Sequence, residues 1–162
     1  MILIRRAEEA DFDQIWPLLR DVFRAGETYA IDPLISKEQA QDYWLEQPTA
    51  CYVAHDGATI VGTYYIRTNQ QGGGAHVCNC GYIVSPIARG KGVARQMCEH
   101  SQAEARALGY RAMQFNFVLK SNSGAVRLWQ HLSYQIVGTI PDAFCLPDGS
   151  YTDAHVMWKS LL

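Results

Sequence analysis

Ile83-Val84-Ser85-Pro86-Ile87-Ala88-Arg89-Gly90-Lys91-Gly92-Val93-Ala94 is the stretch on which the fold and the chemistry turn. An apolar run ends at Val84, a short loop carries two glycines and two cations, and a helical pattern begins. Glycine lets backbone N–H groups approach a ligand with no side chain in the way. A helix N-terminus adds unpaired N–H groups and a partial positive charge. The segment therefore reads as a cradle for a pyrophosphate, with Arg89 and Lys91 attracting the anion. The bland alternative is a glycine-eased turn between strand and helix. Spacing excludes two common nucleotide loops. A Walker loop needs GxxxxGK and then Ser or Thr; here Ser85 replaces its first glycine and Gly92 its hydroxyl residue. A dinucleotide GxGxxG fails because no glycine stands third after Gly92. What survives is R-x-x-G-x-A, Arg89 to Ala94.

Outward from the loop, Ala75–Val84 reads as a strand, and a helix runs from about Gly92 to Leu108. Its inner face is Val93, Met97, Ser101, Ala105 and Leu108; its outer face is Arg95, Glu99, Gln102 and Arg106. A strand over Ala112–Leu119 and a helix from Asn122 to Leu132 follow. Strands at Tyr134–Ile140 and Thr152–Lys159 flank a turn-rich connection, Pro141–Tyr151. Upstream, the pattern predicts a strand at Ile2–Arg6 and a helix over Phe12–Phe23, capped by Asp11 and kinked at Pro17. A loop, Gly26–Ser36, leads to a helix at Lys37–Glu46 capped by Ser36. Strands at Ala50–His55 and Thr59–Thr68 meet at an Asp56-Gly57 turn, a strong hairpin signal. The order is βααβββαβαββ. Strand–helix–strand in the middle implies a parallel pair, and the hairpins imply antiparallel ones. The expected fold is α/β (α+β): a mixed, mostly antiparallel sheet flanked by helices, in a single domain over residues 1–162.

Composition narrows the function. The 162 residues are 48% hydrophobic, enough for one core without disulfides. A formal charge of −2 argues against a dedicated nucleic-acid binder. No apolar run approaches the roughly 18–20 residues of a membrane span. The five cysteines are odd in number and lack CxxC spacing. They read as small buried hydrophobes in a reducing compartment, with no metal site. The first residues do not form a signal peptide. The expectation is a soluble, cytoplasmic protein.

Arg89 to Ala94 resembles the coenzyme A loop of the GCN5-related N-acetyltransferases, whose signature is Q/R-x-x-G-x-G/A. The order of elements over nearly the whole chain is similar to that superfamily, as is the Asn-x-x-Ala pattern at Asn122 and Ala125. The resemblance implies an enzyme that uses acetyl-CoA and acetylates an amine. It implies that Arg89, Gly90, Lys91, Gly92, Val93 and Ala94 wrap the pyrophosphate. It implies that the strand ending at Val84 splays from the next one, and that the pantetheine arm pairs with backbone near Ile83 and Val84. A backbone N–H there would polarise the thioester carbonyl. Asn122 would touch the coenzyme's arm, and by its position it also reads as a helix N-cap. One departure stands out. Many members carry a Tyr seven residues after that Asn, as general acid; here the position is Trp129, which cannot serve so. A thiol of pKa about 8.5 leaves as thiolate near neutral pH, so transfer survives that loss. Tyr82, Ser121 or water are the substitutes on offer.

The nucleophile must be a neutral amine, and an α-amino group of pKa about 7.7–8.0 needs little help near pH 7.5. Candidate helpers are Glu27, in the loop that usually covers the acceptor pocket of this family, His76, and water held by strand polar atoms. The bland readings are a solvated loop carboxylate for Glu27 and a strand-edge histidine without catalytic duty for His76. Asn79 and Asn116 sit mid-strand, where Asn is disfavoured. They read either as an amide pair facing one cleft, holding an acceptor carboxylate or amide, or as internal braces. Gly26-Glu27-Thr28-Tyr29, Val61-Gly62-Thr63-Tyr64-Tyr65, Asn79-Cys80-Gly81-Tyr82 and Phe115-Asn116-Phe117-Val118 look like acetyltransferases of small amino acids or analogues. The fungal proline-analogue group and, more loosely, phosphinothricin-type enzymes are the branches in question. Asn79 and Glu27 are thus the catalytic candidates, and Tyr29, Asn79 and Asn116 the acceptor-binding ones. The expected partner is a small-molecule amine, acylated by direct transfer in a ternary complex rather than through Cys78 or Cys80; a homodimer is expected by analogy. The competing classes are a non-catalytic acyl-CoA-binding module, which Trp129 favours, and a protein or peptide N-acetyltransferase, which needs an open groove.

Overall fold

Phe12, Ile15, Leu19 and Phe23 recur at helical spacing, and all four are buried in the computed structural model, which describes residues 1–162. They form the inner stripe of α1 (Phe12–Ala25), which packs on one face of a sheet. That sheet comprises β1 (Ile2–Arg6), β2 (Ala50–Asp56), β3 (Thr59–Thr68), β4 (Val77–Val84), β5 (Ala112–Leu119), β6 (Gln135–Cys145) and β7 (Tyr151–Ser160). Its order is β1-β2-β3-β4-β5-β7-β6. Every neighbouring pair is antiparallel except β4 with β5. Alternate strand side chains serve opposite faces, so two apolar clusters form. One gathers α1, α2 (Lys37–Gln41) and Trp44 against the sheet. The other gathers α3 (Val93–Ala107) and α4 (Ser123–His131) around Met97, Met113 and Met157. The mixed sheet and the element order agree with the pattern read from the sequence.

β4 and β5 pair only at Val77–Ala112 and Cys78–Met113. Beyond Cys78 they separate into a fork, as the family resemblance implies. Asn79 holds the crotch of this fork. Its Nδ2 donates to the Gln114 carbonyl at 2.9 Å, where a β4 backbone N–H would otherwise bond. On the far side, β5 bulges between Phe115 and Val118, which places Asn116 and Phe117 out of register with β7. Bulges re-aim side chains beside sites of this kind.

Several local expectations need correction. Asp11 does not cap α1. A 3₁₀ turn, Glu9–Asp11, precedes the helix, and the Asp11 carboxylate is taken by Arg5 through bonds of 2.7 and 2.8 Å. Ser36 does cap α2, accepting from Gln39 N at 3.1 Å. The predicted helix through Glu46 changes at Asp42 into a π turn, Asp42–Glu46. The Arg67 guanidinium donates to the Tyr43 carbonyl at 2.6 Å and takes it from the helical ladder. Ala75 and His76 lie outside β4, after a 3₁₀ turn at Gly72–Gly74. β6 runs on through Pro141 to Cys145, so the expected long loop shrinks to a turn after Cys145. A bulge between Ile140 and Phe144 absorbs the missing proline donor, and Asp142 N bonds Asp153 Oδ1 instead. Gln102 is buried, held by Lys159 Nζ at 2.8 Å, while Leu108 is exposed. Four cysteines are buried as expected; Cys145 is exposed.

Candidate active site

Two features built by the sequence converge on the fork. The first is the loop into α3. Gly90 and Gly92 take positive φ angles of 76° and 75°, which L side chains rarely adopt. A Cβ at Gly90 would meet nothing within 4 Å, so the space above the loop is open. The first intrahelical bond runs from Gln96 N to Gly92 O at 3.0 Å. The N–H groups of Gly92, Val93, Ala94 and Arg95 therefore point back along the axis without a helical acceptor. Arg89 and Lys91 are exposed and join no ion pair. An open glycine cradle, free donors and two uncommitted cations fit a pyrophosphate.

The second feature is a cleft of about 340 Å³ that passes through the fork. α4 contributes Ala125 and Trp129 at one end; the α1–α2 loop contributes Thr28 to Ile31 at the other, with Tyr43 and Tyr65. No charged side chain lines it. Cross-strand geometry decides which backbone groups face the opening. Ser85 N bonds Val61 O, and opposed residues alternate between bonded and non-bonded pairs. Ile83, opposite Thr63, is then a bonded pair with β3, and its side chain is buried. Val84 and Tyr82 present N–H and C=O toward the fork; the Tyr29 hydroxyl donates to the Tyr82 carbonyl at 3.0 Å. Of the two backbone positions expected, Val84 thus turns its N–H and C=O toward the fork, while those of Ile83 face β3. Tyr82 takes its place, a residue that strand parity alone could have found.

The other candidates fall as follows. Asn79, Asn116, Asn122 and Tyr29 all line the cleft. Asn79 and Asn116 are also braced: Gln114 Nε2 donates to Asn116 Oδ1 at 3.0 Å, and Asn116 Nδ2 to Asn69 Oδ1 at 2.6 Å. The face-to-cleft and brace roles coexist. Asn122 makes no side-chain cap, contrary to the helix-cap expectation, and its amide is uncommitted. Glu27 is exposed and lines a neighbouring groove with Ser121 and Asp148, rather than the cleft. His76 stands on the exposed turn before β4. The Tyr82 hydroxyl is turned under α3, 2.7 Å from Ser101 Oγ. Burial pushes both the Tyr82 phenol and the Cys80 thiol well above their ordinary values. Trp129 packs with Tyr82 and Phe115 at ring distances of 5.1 Å, a wall rather than an acid.

A family model described as acetyltransferase (GNAT) family matches residues 12–134. The chain belongs to this family. It is an acetyl-CoA-dependent N-acetyltransferase. The acetyltransferase is similar to the N-acetyltransferase aca1 of Schizosaccharomyces pombe, at 32% identity over 148 residues, 81% of this chain and 71% of the relative. Among solved structures, a GCN5-related N-acetyltransferase from Kribbella flavida shares 40% identity at a TM-score of 0.93, covering 98% of this chain and 97% of that one. A phosphinothricin acetyltransferase from Sinorhizobium meliloti, solved in complex with acetyl-CoA, superposes at 0.88 with 19% identity, covering 98% and 88%; this likeness concerns the fold alone. No helix of the acetyltransferase is long and apolar enough to cross a membrane.

Proposed function

We propose that this acetyltransferase moves the acetyl group of acetyl-CoA to the primary or secondary amine of a small molecule, an amino acid or analogue, by direct transfer in a ternary complex. The form of the cleft carries the reading. Its lining comes from both sides of the sheet, Phe115 and Trp129 from the α3–α4 side and Tyr29, Tyr43 and Tyr65 from the α1–α2 side, which favours two reactants meeting in the fork from opposite sides. Its volume suits a small molecule. The Tyr29 hydroxyl pins the α1–α2 loop across it, which favours an enclosed amine over a peptide laid in a groove. Asn79 and Asn116 offer amides where a carboxylate or amide of the acceptor would sit.

The coenzyme supplies an activated acetyl group on a sulfur leaving group. Gly92 to Arg95 offer their N–H groups to its pyrophosphate, with Arg89 and Lys91 beside them. The Tyr82 N–H and the Val84 N–H and C=O offer a strand edge to the arm, the Tyr82 carbonyl being taken by Tyr29, and Asn122 offers a free amide. The absence of a carboxylate from the cleft suits an α-amino group, which is partly neutral near pH 7.5. Glu27, at the neighbouring mouth, is placed to collect a proton through water rather than to touch the nitrogen. The raised Cys80 thiol is a poor acyl carrier, which favours direct transfer.

Thiol release from acetyl-CoA across a panel of free amino acids tests the proposal. Turnover with intersecting initial-velocity lines is expected. Parallel lines would point to an acyl-enzyme. A panel with no turnover would remove amino acids as the acceptor class.

A further inference from the structure

We infer that the Tyr65 hydroxyl orients the acceptor amine, accepting a hydrogen bond from its N–H and aiming the nitrogen lone pair into the fork, with Gly81 and Arg67 positioning the Tyr65 ring. The inference rests on the ternary-complex reading above and assigns a role that neither loop motif contains.

Four contacts hold this ring. Beneath it is Gly81 on β4: a Cβ there would lie 2.7 Å from the Tyr65 ring and 2.9 Å from its hydroxyl. Glycine is therefore what lets the phenol lie directly on the strand at the fork. On its face is the Arg67 guanidinium, 4.3 Å from the ring centroid and 4.4 Å from that of Tyr43. Trp44 meets it edge-on at 4.8 Å, and Tyr43 at 6.1 Å. Arg67 is committed to this clamp. Besides its bond to the Tyr43 carbonyl, its buried Nε has no partner, an arrangement worth keeping only if the stacked geometry matters.

The hydroxyl so placed is poorly used inside the protein. Tyr29 donates at 3.0 Å, and the Tyr82 hydroxyl lies 2.7 Å from Ser101. Tyr65 donates weakly to Asn79 Oδ1, at 3.4 Å, with the Tyr43 phenol close enough to interact with the same hydroxyl, and no donor in hydrogen-bonding geometry reaches its lone pairs. It lines the end of the cleft served by the α1–α2 loop, opposite Trp129. Burial, with the Tyr29 and Tyr43 phenols nearby, raises its pKa far above the ordinary tyrosine value. It stays a neutral phenol, a hydrogen-bonding group rather than a base. In the transfer the amine nitrogen bonds to the acetyl carbon, the carbon–sulfur bond breaks, and its electron pair leaves on sulfur. The nitrogen loses one proton and the thiolate gains one by way of water. Tyr65 ends as it began.

The test uses Tyr65→Phe in the full-length enzyme, which keeps the ring and its clamp. Thiol release is measured with the amino-acid panel and with hydroxylamine, a small nucleophile that carries no carboxylate. The expected result is a fall of about 5- to 30-fold in kcat/KM for the amine, from one lost hydrogen bond. The fall should appear mainly in the amine's KM, with acetyl-CoA affinity by calorimetry and the melting temperature unchanged. Gly81→Ala should give the same split, because it pushes the ring off β4. An amine kcat/KM within twofold of wild type in Tyr65→Phe overturns the inference and leaves the amino-acid reading intact. A fall seen with hydroxylamine when no amino acid turns over supports Tyr65 while removing the amino-acid class. Equal loss of acetyl-CoA affinity would mean that the hydroxyl only supports the fork, and would also overturn it.

Discussion

Asn79 shows how one side chain does two jobs. Strands disfavour Asn, and a buried amide needs partners. Both needs are met because β4 leaves β5 at that point. The amide replaces a lost ladder bond to Gln114 and still lines the cleft. Asn79→Ala strips the Gln114 carbonyl of its donor, a cost of about 0.5–1.5 kcal/mol for this half-buried bond. Steady-state kinetics should show the acceptor KM rising far more than the acetyl-CoA KM. Equal rises would assign Asn79 to the fork's structure alone. Gly92 is the second informative residue. Gly92→Glu adds a side chain at φ 75° and a negative charge beside the N–H groups of the α3 N-terminus. Calorimetry should show acetyl-CoA binding lost; unchanged affinity would move the pyrophosphate elsewhere.

At the scale of elements, the loop between β1 and α1 is tied by charge. Arg5 forks onto Asp11 and holds that carboxyl below the usual carboxylate range, aided by the Glu8 N–H. A depressed folded pKa stabilises the protein above the unfolded value of about 3.9, and the gain is lost as pH falls through the folded one. Melting temperatures of wild type and Asp11→Asn should therefore differ near pH 7 and converge below about pH 4. A gap that persists in acid would assign the effect to shape rather than charge. The pair is partly exposed, so the gap should be small and shrink with salt. The element boundaries that the sequence pattern missed share one cause. Asp11, Tyr43, Asp142 and Gln102 each take a partner from another element, and that partner overrides local preference.

Across the whole molecule, acetyl-CoA should bind the folded chain and not the unfolded one. At about 100 times its Kd it adds roughly 2.7 kcal/mol, which raises the melting temperature by roughly 5–10 °C at this size. A melting curve unmoved by millimolar acetyl-CoA would contradict the α3 cradle. The order of elements, the Arg89–Ala94 loop and the asparagines were legible in the sequence, because they rest on periodicity, glycine freedom and residue types out of place. A chain's own pattern determines which segments are helix or strand, which face of each is apolar, and where an anion is welcome. It does not determine how far β4 and β5 run together, which β4 carbonyls the fork exposes, or that Glu27 and His76 stand outside the cleft. Nor does it show that Tyr65 is clamped over Gly81 with its hydroxyl lone pairs open to a donor. Those outcomes depend on contacts between residues distant in sequence, whose energies exist only once the sheet has closed and the two clusters have packed against it.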